Sequence, residues 1–145
     1  MKIAIGCDPN AEAFKQALIP TIEKLGHEVT DFGSDDPIYA NVAFAVGEAV
    51  AAKKYDRGIL FCGTGLGVML AANKVKGVYA AVLGDIYSAQ RAVLSNNCNV
   101  ITLGSQVTGI KLAEMIITEY LSQTYVYNER SGKKVDRILE YEREH

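Results

Sequence analysis

RGILFCGTGLGVMLAANK, residues 57–74, joins an apolar run to a glycine-rich loop and then to a segment with helical periodicity. The apolar run predicts a strand over residues 57–62 that is buried on both faces, and the periodic segment predicts a helix over residues 65–74. A strand, a short loop and a helix in this order form the repeating unit of a parallel sheet. Because the same order recurs before and after this stretch, we expect an α/β fold.

The rest of the chain supplies further strands and helices of the same kind. The other expected strands cover residues 2–7, 27–31, 78–82 and 99–103, and the other expected helices cover residues 11–25, 39–52, 86–94 and 108–121. Residues 122–145 are polar, aromatic and charged, with Val135, Ile138 and Leu139 at helical spacing. We therefore expect a C-terminal helical arm that packs on the body or on a second subunit.

The amino-acid composition indicates a globular protein and excludes several other classes. The chain has 145 residues, 49% of them hydrophobic and 22% charged, which suits a single domain over residues 1–145 and excludes disordered, collagenous and coiled-coil chains. Its net charge of −2 provides no general attraction to nucleic acid or to an anionic membrane, so neither is an expected partner. No apolar run approaches the roughly 20 residues that a membrane span requires.

The cysteines and histidines are few and scattered. Cys7, Cys62 and Cys98 are odd in number and lack metal-type spacing, so we expect a reducing cytoplasm rather than a disulfide framework. Only His27 and His145 could join them in a zinc site, and the sequence does not favour one.

Polar loops follow three of the predicted strands, at residues 7–10, 62–67 and 84–85. Ligands of open parallel sheets bind beyond the carboxyl ends of the strands. In the second loop, alternating glycines free successive backbone N–H groups to face an anion, which predicts an oxyanion or phosphate cradle. A dinucleotide fingerprint would need glycine in place of Val68, and a P-loop would end in Gly-Lys-Ser/Thr. The plainer alternative is a tight strand-to-helix turn.

Several side chains have two interpretations each. Cys62 is either a thiolate that acts as base or nucleophile, or a small buried apolar residue. Because His27 is placed at the far edge of the sheet, proton transfer is favoured over acyl transfer. Asp8 contacts a ligand, caps a helix, or does both. Arg130 and Lys134, one helical turn apart, either grip a phosphate or form a solvated charged face.

Taken together, these residues resemble the family of ribose-5-phosphate isomerase B and the galactose-6-phosphate isomerase subunits. The resemblance covers almost the whole chain, and its most specific parts are the loop at residues 62–67 and the run Ala71-Ala72-Asn73-Lys74-Val75. The other matching pieces are residues 5–8, Tyr39, residues 56–61, Asp85 with Tyr87-Ser88-Ala89, Asn96-Asn97 with Asn99-Val100, Leu103-Gly104-Ser105, and residues 130–138.

The resemblance implies a Rossmann-like, doubly wound, five-stranded parallel sheet in three α/β/α layers. It also implies a homodimer or a tetramer. The implied activity is aldose–ketose isomerisation of a sugar phosphate through an enediolate, without metal or cofactor.

The resemblance also implies a role for each candidate residue. Cys62 would move the proton between carbons 1 and 2 of the open-chain sugar. The oxygen that gains charge would face Thr64 and the backbone of Gly63, Gly65, Leu66 and Gly67. The sugar would be contacted by Asp8, Tyr39 and Asn96, and its phosphate by Arg130 and Lys134 of the partner subunit.

The chain departs from the family at the histidines that open sugar rings. Pro9, Gly84 and Ser95 stand where the family often has histidine, and Gln106 and Lys134 stand where it often has arginine. Ribose 5-phosphate with ribulose 5-phosphate is the expected substrate pair. Erythrose 4-phosphate with erythrulose 4-phosphate, or another open-chain sugar phosphate, is the alternative. A non-catalytic sugar-phosphate-binding subunit or sensor, and a nucleotide-binding signalling domain, remain open as well.

Overall fold

A computed structural model describes all 145 residues, and five parallel strands form its single sheet. The sheet order is β2-β1-β3-β5-β4, with β1 (Lys2–Cys7), β2 (Glu28–Asp31), β3 (Arg57–Cys62), β4 (Ala80–Val82) and β5 (Val100–Gly104). The helices are α1 (Glu12–Lys24), α2 (Tyr39–Ala51), α3 (Leu66–Ala72), α4 (Ile86–Leu94), α5 (Ile110–Ser122) and α6 (Glu129–Glu144). The expected α/β fold with five parallel strands is confirmed.

Helices cover both faces of the sheet because its three central strands are apolar at most positions and buried along most of their length. On one face, Ile5 and Phe61 belong to a buried cluster with residues of α1, α4 and α5. On the other face, Leu60 and Val68 belong to a second cluster with residues of α2 and α3. Each such side chain contributes about 1.5–3 kcal/mol when it leaves water, so the two clusters hold the three layers together.

The edge strand β4 is shorter than the sequence predicts. Residues 78 and 79 were expected in the strand, but the backbone N–H of Val78 donates to the Val75 carbonyl in a turn. The N–H of Tyr79 donates to the Asn99 side chain at 2.8 Å. The strand begins at Ala80, whose outward N–H and carbonyl both bond to the Asn73 side chain. The side-chain amides of Asn73 and Asn99 thus bond to backbone groups that would otherwise pair with a neighbouring strand.

An ion pair between the buried Lys15 and the partly exposed Asp31 carboxylate fixes the carboxyl end of β2. Lys15, only 1% exposed, donates to Asp31 at 2.7 Å. Burial raises the pKa of Asp31, but the hydrogen bonds from Lys15 and from the Gly33 N–H outweigh it and hold that pKa below its ordinary value. The Gly33 carbonyl in turn accepts from the N–H of Cys7 at 3.2 Å. The pair thereby orders the backbone next to Asp8.

The C-terminal helix α6 touches its own chain at two places. Val135 is buried, and Glu142 accepts hydrogen bonds from the Gly77 N–H at 3.0 Å and from the Tyr79 hydroxyl at 2.5 Å. Burial, together with the hydrogen bond to Glu142, raises the pKa of Tyr79 to about 12, so the hydroxyl remains a donor. Ile138 and Tyr141 stay exposed on the same helix. None of the helices combines the length and the apolar character needed to cross a membrane.

Candidate active site

The crevice that positions the site lies between β1 and β3, where the strand order reverses. The chain leaves β1 toward β2 on one side, whereas β3 is followed by strands on the other side. Cys7 pairs with Phe61 in register, and the N–H of Asp8 donates to the Phe61 carbonyl at 3.3 Å. Asp8 and Cys62 therefore leave the sheet side by side, as the sequence predicts from the carboxyl ends of parallel strands.

Cys62 ends β3 and is buried, with 6% of its surface exposed. Its sulfur accepts a hydrogen bond from the backbone N–H of Gly65 at 3.1 Å. A backbone donor aimed at sulfur stabilises negative charge there. Burial raises the pKa of both Cys7 and Cys98 to about 11. No backbone N–H donates to the sulfur of either of these two cysteines, whereas one donates to the sulfur of Cys62.

The loop after Cys62 presents backbone donors without acceptors. The N–H groups of Gly63, Thr64 and Gly67 form no hydrogen bond within the chain. Gly65 takes a left-handed φ of 82°, which turns the chain sharply into α3. The Leu66 N–H donates to the Thr64 hydroxyl oxygen at 3.2 Å. Unpaired N–H donors are what an oxyanion cradle requires, and we refer to residues 63–67 as the cradle.

The turn after β5 braces this cradle from one side. The N–H groups of Ser105 and Gln106 donate to the carbonyls of Cys62 and Gly63 at 2.9 and 3.0 Å. Thr102, a buried threonine in an otherwise apolar strand, donates its hydroxyl to the Gly65 carbonyl at 2.7 Å. The sequence analysis missed Thr102, although a lone polar residue in a buried strand is a signal that could have found it.

Asp8 and Tyr39 offer free polar atoms near the cradle. One carboxylate oxygen of Asp8 accepts from the Ala11 N–H at 3.1 Å, so the capping role is present, while the other oxygen accepts no bond within the chain. Tyr39 begins α2, and its ring lies against Gly67. The Tyr39 hydroxyl has no partner within the chain, so both side chains are available to a ligand.

Adding a methyl group at Gly67 is expected to displace Tyr39. A Cβ there would lie 2.6 Å from the Tyr39 hydroxyl oxygen, so Gly67→Ala should lower the free energy of unfolding by about 1–3 kcal/mol. Urea unfolding measures this loss. Gly84→Ala is the matched control, because a Cβ at Gly84 meets nothing within 4 Å. An unchanged stability for Gly67→Ala, or an equal loss in the Tyr39→Ala background, would contradict the close contact.

Asn96 lies at the other end of the molecule from Cys62. It follows the last turn of α4, which starts beyond the carboxyl end of β4 and runs back. Asn99, three residues later, accepts from Gly58 at the start of β3. Gly58 and Cys62 are separated by about 13 Å along the strand. The structure therefore does not bring Asn96 to the Cys62 of its own chain.

Arg130 and Lys134 are exposed on α6 and form no ion pair. Val135, directly after Lys134, lines a groove together with Asn96. The candidate residues thus form two groups, one around Cys62 and one around Asn96 and α6. No cluster of three or more His, Cys, Asp or Glu side chains is placed to hold a metal ion.

The fold defines a doubly wound α/β protein, a class whose ligands bind at the reversal of strand order. The chain belongs to the ribose/galactose isomerase family, whose model matches residues 3–138. It is 43% identical to D-erythrulose-4-phosphate isomerase 2 of Mycolicibacterium smegmatis, over 98% of this chain and 97% of that protein. It is 42% identical to ribose-5-P isomerase B of Listeria innocua, over 97% and 96%.

A solved structure agrees with this assignment. Ribose-5-phosphate isomerase B of Clostridium thermocellum superposes with a TM-score of 0.92 at 37% identity, covering 99% of both chains. The family and the α/β architecture predicted from the sequence are both confirmed.

Proposed function

We propose that this chain is an aldose–ketose isomerase that interconverts ribose 5-phosphate and ribulose 5-phosphate. Its family and its relatives, which are named as sugar-phosphate isomerases, support this class of enzyme. The observation that carries the proposal is the sulfur of Cys62 beside unpaired backbone N–H groups. Enolisation of a hydroxy aldehyde requires a base next to a cradle for negative charge.

In the proposed reaction, the Cys62 thiolate removes the proton on carbon 2 of the aldose. The electron pair of that C–H bond forms the double bond between carbons 1 and 2, and the carbonyl oxygen takes the negative charge. The N–H groups of Gly63, Thr64 and Gly67 stabilise this oxygen. The Thr64 hydroxyl transfers a proton between the two oxygens, and Cys62 returns its proton to carbon 1 to give the ketose.

We propose that each active site uses two chains. Asn96 is remote from the Cys62 of its own chain, and Arg130 and Lys134 belong to α6, which lines the same groove as Asn96. We assign all three side chains to the site of a partner. Leu66 and Leu70, exposed by 51% and 60% on α3 beside the cradle, provide apolar surface for such a contact. The expected assembly is a homodimer, or a tetramer of two dimers.

The proposed location is the cytoplasm, and the proposed partners are the sugar phosphate and a second copy of the chain. All three cysteines are free thiols, which supports a reducing compartment. The net charge of −2 supports the absence of a nucleic-acid partner.

The choice of sugar depends on ring opening. Pentose phosphates close into rings, and an isomerase that acts on the ring needs an acid and a base to open it. A tetrose 4-phosphate cannot form a furanose, because the required hydroxyl is esterified. Pro9, Gly84 and Ser95 supply no histidine for ring opening. Erythrose 4-phosphate with erythrulose 4-phosphate is therefore the second candidate pair.

We expect the purified protein to isomerise both sugars, because both carry the aldehyde, the carbon-2 proton and the terminal phosphate on which the proposed contacts act. The measurement is kcat/KM for ribose 5-phosphate and for erythrose 4-phosphate, repeated with Ser95→His. If ring opening limits the reaction, the substitution raises the ratio in favour of ribose 5-phosphate. A parent enzyme that strongly prefers ribose 5-phosphate, with no gain from Ser95→His, would eliminate the tetrose candidate.

The non-catalytic alternative predicts binding without turnover. A sugar phosphate that binds the folded state raises the unfolding temperature by mass action. Exchange of the carbon-2 proton with deuterium from solvent then separates an isomerase from a sensor. Stabilisation without exchange would favour the sensor, and stabilisation by nucleotides alone would refute the isomerase proposal.

A further inference from the structure

A groove of about 490 Å³ runs along the open edge of β4, between α4 and α6. Its apolar wall includes residues 80–83 and three side chains of α6, which are Val135, Ile138 and Leu139. Its polar side chains are Asn73, Ser88, Arg91, Asn96 and Asn97. A cavity of this size accommodates a small phosphorylated metabolite.

Arg91 is the only charged side chain that lines this groove. It is half-buried, and no carboxylate lies within ion-pair distance of it. Withdrawing a charge from water without a counter-ion is costly, and proteins normally pair such charges. An unpaired guanidinium in a cavity is therefore prepared to receive an anion.

Ser95 holds the guanidinium in place. The Nε of Arg91 donates to the Ser95 hydroxyl oxygen at 2.7 Å, across one turn at the end of α4. This is the only hydrogen bond of the Arg91 side chain, so both terminal nitrogens remain free. Two parallel N–H donors are the geometry with which arginine binds a phosphate or a carboxylate.

The turn after α4 leaves Asn96 available in the same groove. Asn97 takes a left-handed φ of 51°, and its N–H donates to the Val93 carbonyl. This single bond is the αL ending of a helix, and the next N–H, that of Cys98, donates to the Ala92 carbonyl. Asn97 thus provides the cap, whereas the Asn96 side chain forms no hydrogen bond within the chain. An amide beside a guanidinium suits an anion that also carries hydroxyl groups.

We propose that Arg91 is a substrate-binding residue that, together with Asn96 and the cations of α6, serves the active site of a partner chain and there holds the phosphate of the sugar phosphate, with Ser95 as its positioning residue. The inference rests on the proposed function and deepens it. Lys134 lies one helical turn from the groove residue Ile138, so the cations of α6 flank the same groove. Arginine keeps its proton in proteins, so Arg91 binds the substrate and does not transfer protons.

The test compares Arg91→Met, Ser95→Ala and their double variant. Arg91→Met is expected to raise both the KM for sugar phosphate and the inhibition constant of inorganic phosphate by about 10- to 100-fold, with a smaller change in kcat. Ser95→Ala should raise both constants by a smaller factor than Arg91→Met does. Ser95→Thr, which keeps the hydroxyl, should give the parent values of both constants. The double variant should have the same constants as Arg91→Met alone. Lys24→Met, which removes an exposed charge at the end of α1, is the control and should leave both constants unchanged.

Constants for Arg91→Met within about twofold of the parent values would overturn the assignment of Arg91. Additive effects of Arg91→Met and Ser95→Ala would overturn the positioning role of Ser95. If Arg91→Met does not fold, Arg91→Lys is measured in its place. It keeps the positive charge but loses the two parallel N–H donors of the guanidinium. If the parent protein isomerises no sugar phosphate, the proposed function fails, and calorimetric titration of parent and Arg91→Met with inorganic phosphate still decides the role of Arg91.

Discussion

Cys62→Ser is expected to lower kcat by about a hundredfold to ten-thousandfold, because a positioned general base contributes that much to the rate. Serine keeps the side-chain size and can accept the hydrogen bond from Gly65, but its hydroxyl ionises far less readily than a thiol. KM should change little, since Cys62 is assigned to proton transfer and not to binding. The measurements are steady-state kinetics with ribose 5-phosphate and deuterium exchange at carbon 2.

Cys98→Ala is the matched control for the loss of a thiol. Cys98 lies outside the cradle, and burial raises the pKa of its thiol to about 11, so it has no assigned part in proton transfer. We expect its kcat to equal that of the parent. Parental turnover and parental proton exchange in Cys62→Ser would show that another group is the base.

Mixing two inactive variants is expected to restore activity if each site uses two chains. One variant carries Cys62→Ser, and the other carries Arg130→Met with Lys134→Met, which removes the proposed phosphate contacts. Each alone should lose at least about a hundredfold in kcat/KM, because two charge-assisted hydrogen bonds or the base are missing. In a heterodimer, one site receives both defects and the other receives none. Random exchange of subunits should then recover about a quarter of the parental activity.

Subunit exchange has to be demonstrated independently, for example by energy transfer between labelled chains. A chain that carries all three substitutions is the control, because mixing it with either inactive variant cannot generate an intact site. Complete exchange without recovery would show that α6 serves the site of its own chain.

Most elements followed from the sequence because local rules determine them. The bounds of β3 (Arg57–Cys62) and α4 (Ile86–Leu94) are those predicted. An apolar run in the sequence defines β3, and Asp85 caps the start of α4, so neither depends on distant residues. The cradle was predictable for the same reason, because Cys62 and its donors are contiguous in the chain. The start of β4 was not predictable, since the Asn73 and Asn99 side chains that replace its pairing come from distant positions.

By itself, the sequence determined the α/β class and the family, and it singled out the candidate residues around Cys62. Only the tertiary structure decided that Asn96 lies at the other end of the molecule and shares a groove with Arg91. The reason is the path of the chain: α4 returns antiparallel to the strands, so residues after it emerge at the opposite end from the loop that follows β3. Whether the half-buried Arg91 has a counter-ion also depends on the side chains of every element packed around it. A local sequence pattern contains no information about those neighbours.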